Sequence, residues 1–228
     1  MRINKRMLII KAIAKKILPD RLIDMIIVLR QHNEKVKRDK KNKKKIEALL
    51  KSSLPINIEL GAGKDRVMKG WTSVDMNDSC DLNLDLTLPL PFPDNSVNMI
   101  YSSHVLEHFK FTDLIKLLCE CLRLLKPGGK FSAAVPNARI YIDAYHCTDN
   151  FNSDLFCRHK PAYNFNSKID YVNYMAYMDG HHQYMFDEEN IIVVLGKVGF
   201  KNVRLRDFEK TLDLEVRDYE SIYVQAEK

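Results

Sequence analysis

A chain of 228 residues, 46% hydrophobic and 29% charged, has the composition of a soluble globular protein long enough to bury one full core. Eight glycines and eight prolines exclude a collagen-like or low-complexity chain. Five cysteines (Cys80, Cys119, Cys121, Cys147, Cys157), odd in number and without zinc-site spacing, argue against a disulfide framework and for reduced thiols in a cytoplasmic protein. The net charge of +6 averages two unlike parts: residues 1–50 carry 16 Lys+Arg against 5 Asp+Glu, the remaining 178 carry 20 against 25. A basic arm on a mildly acidic body suits an anionic partner for the arm, either membrane headgroups or nucleic acid.

In chain order, residues 3–30 read as amphipathic helix. Ile3, Met7, Ile10, Ile13 and Ile17 recur at helical spacing, with Lys5, Arg6, Lys11, Lys15 and Lys16 on the other side. Pro19-Asp20 breaks the run, and Arg21–Arg30 forms a second helix. Lys35–Lys45 carries eight bases and one acid and reads as a solvated helix or a linker. Helix Ile46–Lys51 leads to Pro55, where the composition changes. The longest apolar run in the arm, Met25–Leu29, is five residues, against about 20 for a membrane-crossing helix. Met7–Ile10 is cut off by Lys11, so no signal-peptide core is expected. The predicted division is a basic helical extension over 1–54 and a domain over 55–228.

From Ile56 the pattern alternates between short apolar runs and helical periods, as in an α/β domain. Strands are predicted at Ile56–Leu60, Trp71–Val74, Leu82–Leu86, Val97–Ser103 and Lys130–Val135. Thr112–Lys126 is a helix with Leu114, Leu117, Leu118, Cys121, Leu122 and Leu125 on its inner side, and Pro127-Gly128-Gly129 stops it. Residues 137–186 interrupt the alternation as an insertion or lid. They hold seven of the ten tyrosines, which serve either to pack the segment down or to face a sugar ring. Helix Asp187–Lys197 and strands Asn202–Asp207 and Ser221–Ala226 complete the domain.

The chemistry concentrates where strands end. Ile56–Leu60 is followed by Gly61-Ala62-Gly63, a turn tight enough to bring backbone close to a ligand. Asp75 ends the second strand and can accept hydrogen bonds from two ribose hydroxyls. Asp85 ends the third and can meet an adenine amino group. Each acid alone is as well explained as a turn or cap residue. Their order behind a Gly-x-Gly strand is what carries the reading. A nicotinamide-binding domain fits poorly, because no further glycine follows at the required spacing.

Glu59–Gly63 (ELGAG), Val74-Asp75, Leu84–Leu86, Leu88–Ser96 (LPLPFPDNS), Tyr101–His108 (YSSHVLEH) and Leu124–Lys130 (LLKPGGK) together resemble the class I S-adenosylmethionine-dependent methyltransferases. The resemblance is strong over 55–136 and looser over 187–228, in a branch acting on small molecules, quinones or glycans. It implies a Rossmann-like α/β fold, with a mainly parallel seven-stranded sheet flanked by helices. It also implies that Glu59, Gly61, Ala62 and Gly63 line the methionine end of the cofactor. Asp75 and Met76 would lie at its ribose, Asp85 and Leu86 at its adenine, and Ser103 and His104 beside the transferable methyl. Two positions depart from the pattern: Asp65 stands where a third glycine is usual, and Asn98 where the fourth strand usually has Asp.

For a hydroxyl acceptor a histidine base suits neutral pH. His104 is the first candidate. His108, one turn on, either points at the same pocket or packs within VLEH. His181 and His182 lie either at the acceptor or on the surface. Glu107 and His108 beside Asp143 or Asp149 have side chains that ligate metals, but no spacing constraint binds them, and no metal is expected.

The implied activity is methyl transfer from S-adenosylmethionine to a small-molecule or glycan acceptor, such as a cell-surface polysaccharide precursor. Residues 1–45 would then rest on anionic lipid at the inner face of the membrane, or pack on the domain or a second subunit as a homo-oligomer. A nucleic-acid methyltransferase using Lys35–Lys45 is the alternative. Against it stand the acidic body and the sequence Ser102-Ser103-His104-Val105, where base-amino methyltransferases carry an Asn/Asp-Pro-Pro-aromatic motif. A catalytically silent binding subunit is the third reading.

Overall fold

The computed structural model describes residues 20–64, 68–147, 151–163 and 167–228. The amphipathic run expected over 3–17 and Asp149 lie outside them. The chain divides into two units, one ending at Lys45 and one spanning Ile46–Lys228.

Helix α1, Asp20–Lys51, is one continuous 32-residue helix. It joins the expected helices Arg21–Arg30 and Ile46–Lys51 through Lys35–Lys45, which takes the helical of its two expected forms. Continuity has a simple cause: no glycine or proline falls between 20 and 51, and Lys, Arg, Glu and Leu are all good helix formers. In its first part Met25, Ile26, Val28 and Leu29 are exposed.

The second unit is built on a seven-stranded sheet. Its strands are β1 (Asn57–Leu60), β2 (Thr72–Asp75), β3 (Leu82–Asn83), β4 (Val97–Ser103), β5 (Leu125–Pro136), β6 (Lys201–Arg206) and β7 (Ser221–Glu227). They stand in the order β3-β2-β1-β4-β5-β7-β6. β3, β2, β1, β4 and β5 pair in parallel, and β7 runs antiparallel to both β5 and β6. β1 and β4 are adjacent although far apart in the chain. The strand order therefore reverses between them, and a crevice opens beyond their carboxyl ends.

Helix α2 (Phe111–Leu124) packs on the sheet through Leu114, Leu117, Leu118, Cys121 and Leu124, all buried at helical spacing. The helix ends at Leu124 and β5 begins directly. Pro127-Gly128-Gly129 lies inside the irregular start of that strand, where Gly128 takes φ +74°. Asn98 ties two strands together. Its Oδ1 accepts from the Ile56 amide and from Lys126 Nζ, both at 3.1 Å, and so locks β4 to the entry of β1.

The stretch after β5 leaves and re-enters the sheet at one place, since Asn137 and Phe186 form a parallel bridge. Between them run α3 (Ala138–Cys147), α4 (Ser153–Phe156) and α5 (Lys168–Tyr177). They close on an aromatic cluster of their own: Tyr141, Tyr163, Tyr174, Met175 and Cys157 are buried together. Most tyrosines of the segment thus pack rather than face outward. The Tyr141 hydroxyl donates to Phe156 O at 2.9 Å and also meets the buried Glu220 carboxylate. Helix α6 (Glu188–Val198) follows and is capped at Gly199 in the left-handed region.

Candidate active site

β1 delivers its turn into the crevice. Gly61 has φ +63° and donates its amide to Val74 O at 2.7 Å, joining the turn to β2. A Cβ at Gly61 would lie 2.3 Å from Val105 Cγ2, so only glycine fits. Gly63 also has a left-handed backbone, φ +69°, but a Cβ there would meet nothing within 4 Å. The turn therefore presents bare backbone to open space.

That space is a cavity of about 590 Å³, within the range for small-molecule sites. Glu59, Gly61, Ala62 and Gly63 line one side, with Lys64 and Met68. Ser103 at the end of β4 lines another side, and the segment Lys210–Leu214 with Arg217 lines a third. A smaller cavity of about 130 Å³ shares Glu59, Gly63, Lys64 and Met68 and extends toward Trp71, Ser73 and Asp81. Asp75 sits at the end of β2, where its Oδ2 accepts from the Gly63 amide at 3.0 Å.

Asp75 and His104 are not among the residues that line either cavity, and the remaining cofactor candidates also lie apart from the lining. Met76 is exposed, and Leu86 belongs to the hydrophobic core. Asp85 is engaged in its own turn, its Oδ1 accepting from the Thr87 amide at 2.9 Å and the Thr87 hydroxyl at 2.7 Å.

The segment Lys210–Leu214 and Arg217 are contributors that pattern reading missed. They sit in a charged connection between β6 and β7 that has neither helical nor strand period. Asp213 fixes this connection: it is buried, receives Arg206 through both guanidinium arms, and accepts from Tyr101 Oη at 2.8 Å. Arg217 donates through one guanidinium nitrogen to Ser103 O and Oγ, so the segment is also anchored to β4.

His104 follows Ser103 with φ +52°, a left-handed conformation uncommon outside glycine. Its Nε2 lies 2.8 Å from Ser221 Oγ. Ser221 spends its own proton on Arg217 O at 2.7 Å, so Nε2 must be the donor and Nδ1 keeps a lone pair. Burial, followed by the nearby Arg217 charge, holds the His104 pKa well below the ordinary imidazole value.

His108 and His182 come together with Glu107. The His108 and His182 rings meet edge-on with centroids 5.2 Å apart. Burial lowers the pKa of both rings, that of His182 to about 4. Glu107 is buried, and desolvation pushes its carboxyl up to about 8. His181, in contrast, is exposed and its ring lies against His159. The sequence suggested Asp143 or Asp149 as companions of Glu107 and His108. Among the described residues, which do not include Asp149, their partner is His182.

Residues 60–133 match the family described as Methyltransferase domain. A curated probable S-adenosylmethionine-dependent methyltransferase of Mycolicibacterium smegmatis is 42% identical over 48 residues, covering 21% of this chain. The match spans 18% of that protein's length. Among solved structures, a SAM-dependent methyltransferase from Archaeoglobus fulgidus aligns over 84% of this chain and 94% of its own, with TM-score 0.48 and 15% identity. One from Mesorhizobium loti aligns over 80% and 95%, with TM-score 0.49 and 15% identity. The family match is confined to residues 60–133, and the curated relative is a probable S-adenosylmethionine-dependent methyltransferase. The strand order reverses at the crevice, where the bare glycine turn lies beside a cavity of a size that suits a small molecule.

Proposed function

We propose that this chain transfers a methyl group from S-adenosylmethionine to a small-molecule or glycan acceptor, with a cell-surface polysaccharide precursor as the first acceptor class to test. The observation that carries the reading is the cavity between the Gly61–Gly63 turn, Ser103 and the Lys210–Arg217 segment, with Asp75 tied to the turn beside it.

In this reading the left-handed glycines let the turn backbone approach the cofactor without side-chain obstruction. Glu59 and Gly61–Gly63 bind its amino-acid end. Asp75, held in place by the Gly63 amide, accepts its ribose hydroxyls. Asp85, Leu86 and Met76 are assigned to the adenine and ribose side on the strength of the family pattern alone. When bound, S-adenosylmethionine supplies an electrophilic sulfonium methyl. The protein then has to orient an acceptor and, for a hydroxyl, take its proton. His104 is the assigned base: its Nε2–H is fixed on Ser221, and its neutral state at pH 7 leaves the Nδ1 lone pair free to take a proton. Burial makes His104 a weak base, so the proton must pass on quickly. His108, His181 and His182 are secondary candidates for contact with the acceptor.

The arm is assigned to an anionic lipid surface. Its exposed Met25, Ile26, Val28 and Leu29, followed by the basic run Lys35–Lys45 on the same helix, support this. Among the described residues, no helix is long and apolar enough to cross a membrane.

Binding is tested by calorimetric titration with S-adenosylmethionine and S-adenosylhomocysteine. Transfer is tested by following the labelled methyl group into sugar nucleotides and lipid-linked glycans. Binding without transfer to any glycan or small molecule offered would remove the acceptor assignment.

A further inference from the structure

The Glu107 carboxylate is 2% exposed, and neither of its oxygens has a hydrogen-bond partner among the described residues. A buried carboxyl left in that state is costly and calls for an explanation. Two imidazoles face it. His108 Nε2 lies 3.6 Å from Glu107 Oε1, and one ligating atom from each of Glu107, His108 and His182 lies within 4.8 Å of the others.

The hydrogen bonds of the two rings fix which nitrogens are available. His108 Nδ1 is 2.9 Å from His181 O, and His182 Nδ1 is 2.7 Å from Met175 O. A carbonyl oxygen only accepts, so both Nδ1 atoms carry the hydrogen and both Nε2 atoms carry a lone pair. A ligating histidine shows this arrangement: one nitrogen is turned to the metal, and the other donates to a backbone carbonyl that sets its tautomer and orientation.

The backbone holds the two halves in register. The Gln183 and Tyr184 amides both donate to Glu107 O, at 2.8 and 3.1 Å, which brings the residue after His182 onto the 3-10 turn Leu106–His108. Just before the histidines, Met178, Asp179 and Gly180 all take positive φ, at 41°, 54° and 84°. For two successive non-glycine residues this is strained, and the contacts around His182 hold it in place.

We propose that Glu107, His108 and His182 bind a divalent transition-metal cation of the zinc class, through the Glu107 carboxylate and the two Nε2 atoms. Two ligands of a tetrahedral zinc at about 2.0–2.1 Å stand roughly 3.3 Å apart, close to the 3.6 Å between His108 Nε2 and Glu107 Oε1. Two imidazoles with one carboxylate select such ions over Mg²⁺ or Ca²⁺, which prefer oxygen donors throughout. His108 is 43% exposed, which leaves an approach for the ion and an open position for water or an acceptor oxygen. The cation would cross-link the end of β4 to the close of the 137–186 segment. The site stands on its own residues and does not depend on the cofactor reading.

The test uses the full chain, tag-free and stripped of metal with a chelator, titrated with Zn²⁺ by calorimetry, with bound metal counted by mass spectrometry. One zinc per chain is expected. Glu107→Gln and His182→Gln should each weaken binding by roughly a hundredfold or more, since each removes one of three ligands. Circular dichroism reports whether each variant is folded. Should one unfold, the wild-type protein loaded with Co²⁺ decides: nitrogen and oxygen ligation gives visible ligand-field bands without a sulfur-to-metal charge-transfer band. No binding by the stripped wild type would overturn the site. So would binding that survives both variants but disappears in Cys119→Ser, since Cys119 is an exposed thiol. S-adenosylmethionine titration on the same samples separates this result from that of the proposed function.

Discussion

At the scale of single residues, the Gly61 position makes the sharpest demand. Its φ of +63° costs any L side chain roughly 1–2 kcal/mol, and a methyl would strike Val105 at 2.3 Å. Gly61→Ala should lower the urea unfolding midpoint as well as cofactor affinity, whereas Gly63→Ala, with open space around it, should affect affinity more than stability. Equal losses in both variants would contradict the difference in surroundings. Asp75→Ala removes charged hydrogen-bond acceptors worth ~1.5–3 kcal/mol, so S-adenosylmethionine should bind roughly 10- to 100-fold more weakly with folding little changed. An unaltered dissociation constant would remove the ribose assignment. His104→Ala should cut turnover by about a hundredfold or more, the usual worth of a general base, with cofactor binding nearly intact. Unchanged turnover would remove it as the base.

At the scale of elements, local pattern and long-range contact divide the account. The short apolar runs and the amphipathic period of α2 announced β1, β2, β4 and α2 with boundaries near the observed ones, and β5 from Lys130 onward though not its start at Leu125, because those parts are specified by their own buried faces. The Gly-x-Gly turn was legible because the left-handed backbone at Gly61 and Gly63 favours glycine. Neither the Lys210–Leu214 lining nor Arg217 was. Both lie in an aperiodic, charge-bearing connection, and they gain a place through Asp213 reaching Tyr101 and Arg206 and through Arg217 reaching Ser103. Nor could the meeting of Glu107 with His182 be read, since it depends on how the 137–186 segment folds back through the Asn137–Phe186 bridge. That segment offers its own check. Tyr141→Phe strips a hydroxyl from the buried Glu220 and Phe156 O contacts, so the protein should lose about 1–3 kcal/mol in denaturant unfolding. An unchanged midpoint would show that the aromatic packing alone holds the segment.

At the scale of the whole molecule, composition indicated a basic arm and an α/β body, and the alternation of elements indicated a sheet. The continuity of α1 was only partly legible: the sequence leaves Lys35–Lys45 open between solvated helix and linker, because solvated lysines carry no period that pattern reading can use, although propensity favours helix throughout. The exposed apolar residues of that helix and its basic run lead to a prediction that does not involve catalysis. The protein should sediment with vesicles containing anionic lipid, less so as salt is raised, and not with zwitterionic vesicles. Equal sedimentation with both would remove the electrostatic part of the assignment.

The central claim is that the cavity at the β1 turn holds S-adenosylmethionine. Calorimetric titration of the purified full chain with S-adenosylmethionine and S-adenosylhomocysteine, with NAD as control, tests it most directly. The account predicts saturable one-to-one binding of the first two, weakened by Asp75→Ala, and no heat from NAD. Absence of binding by either, or equal binding of NAD, would contradict it.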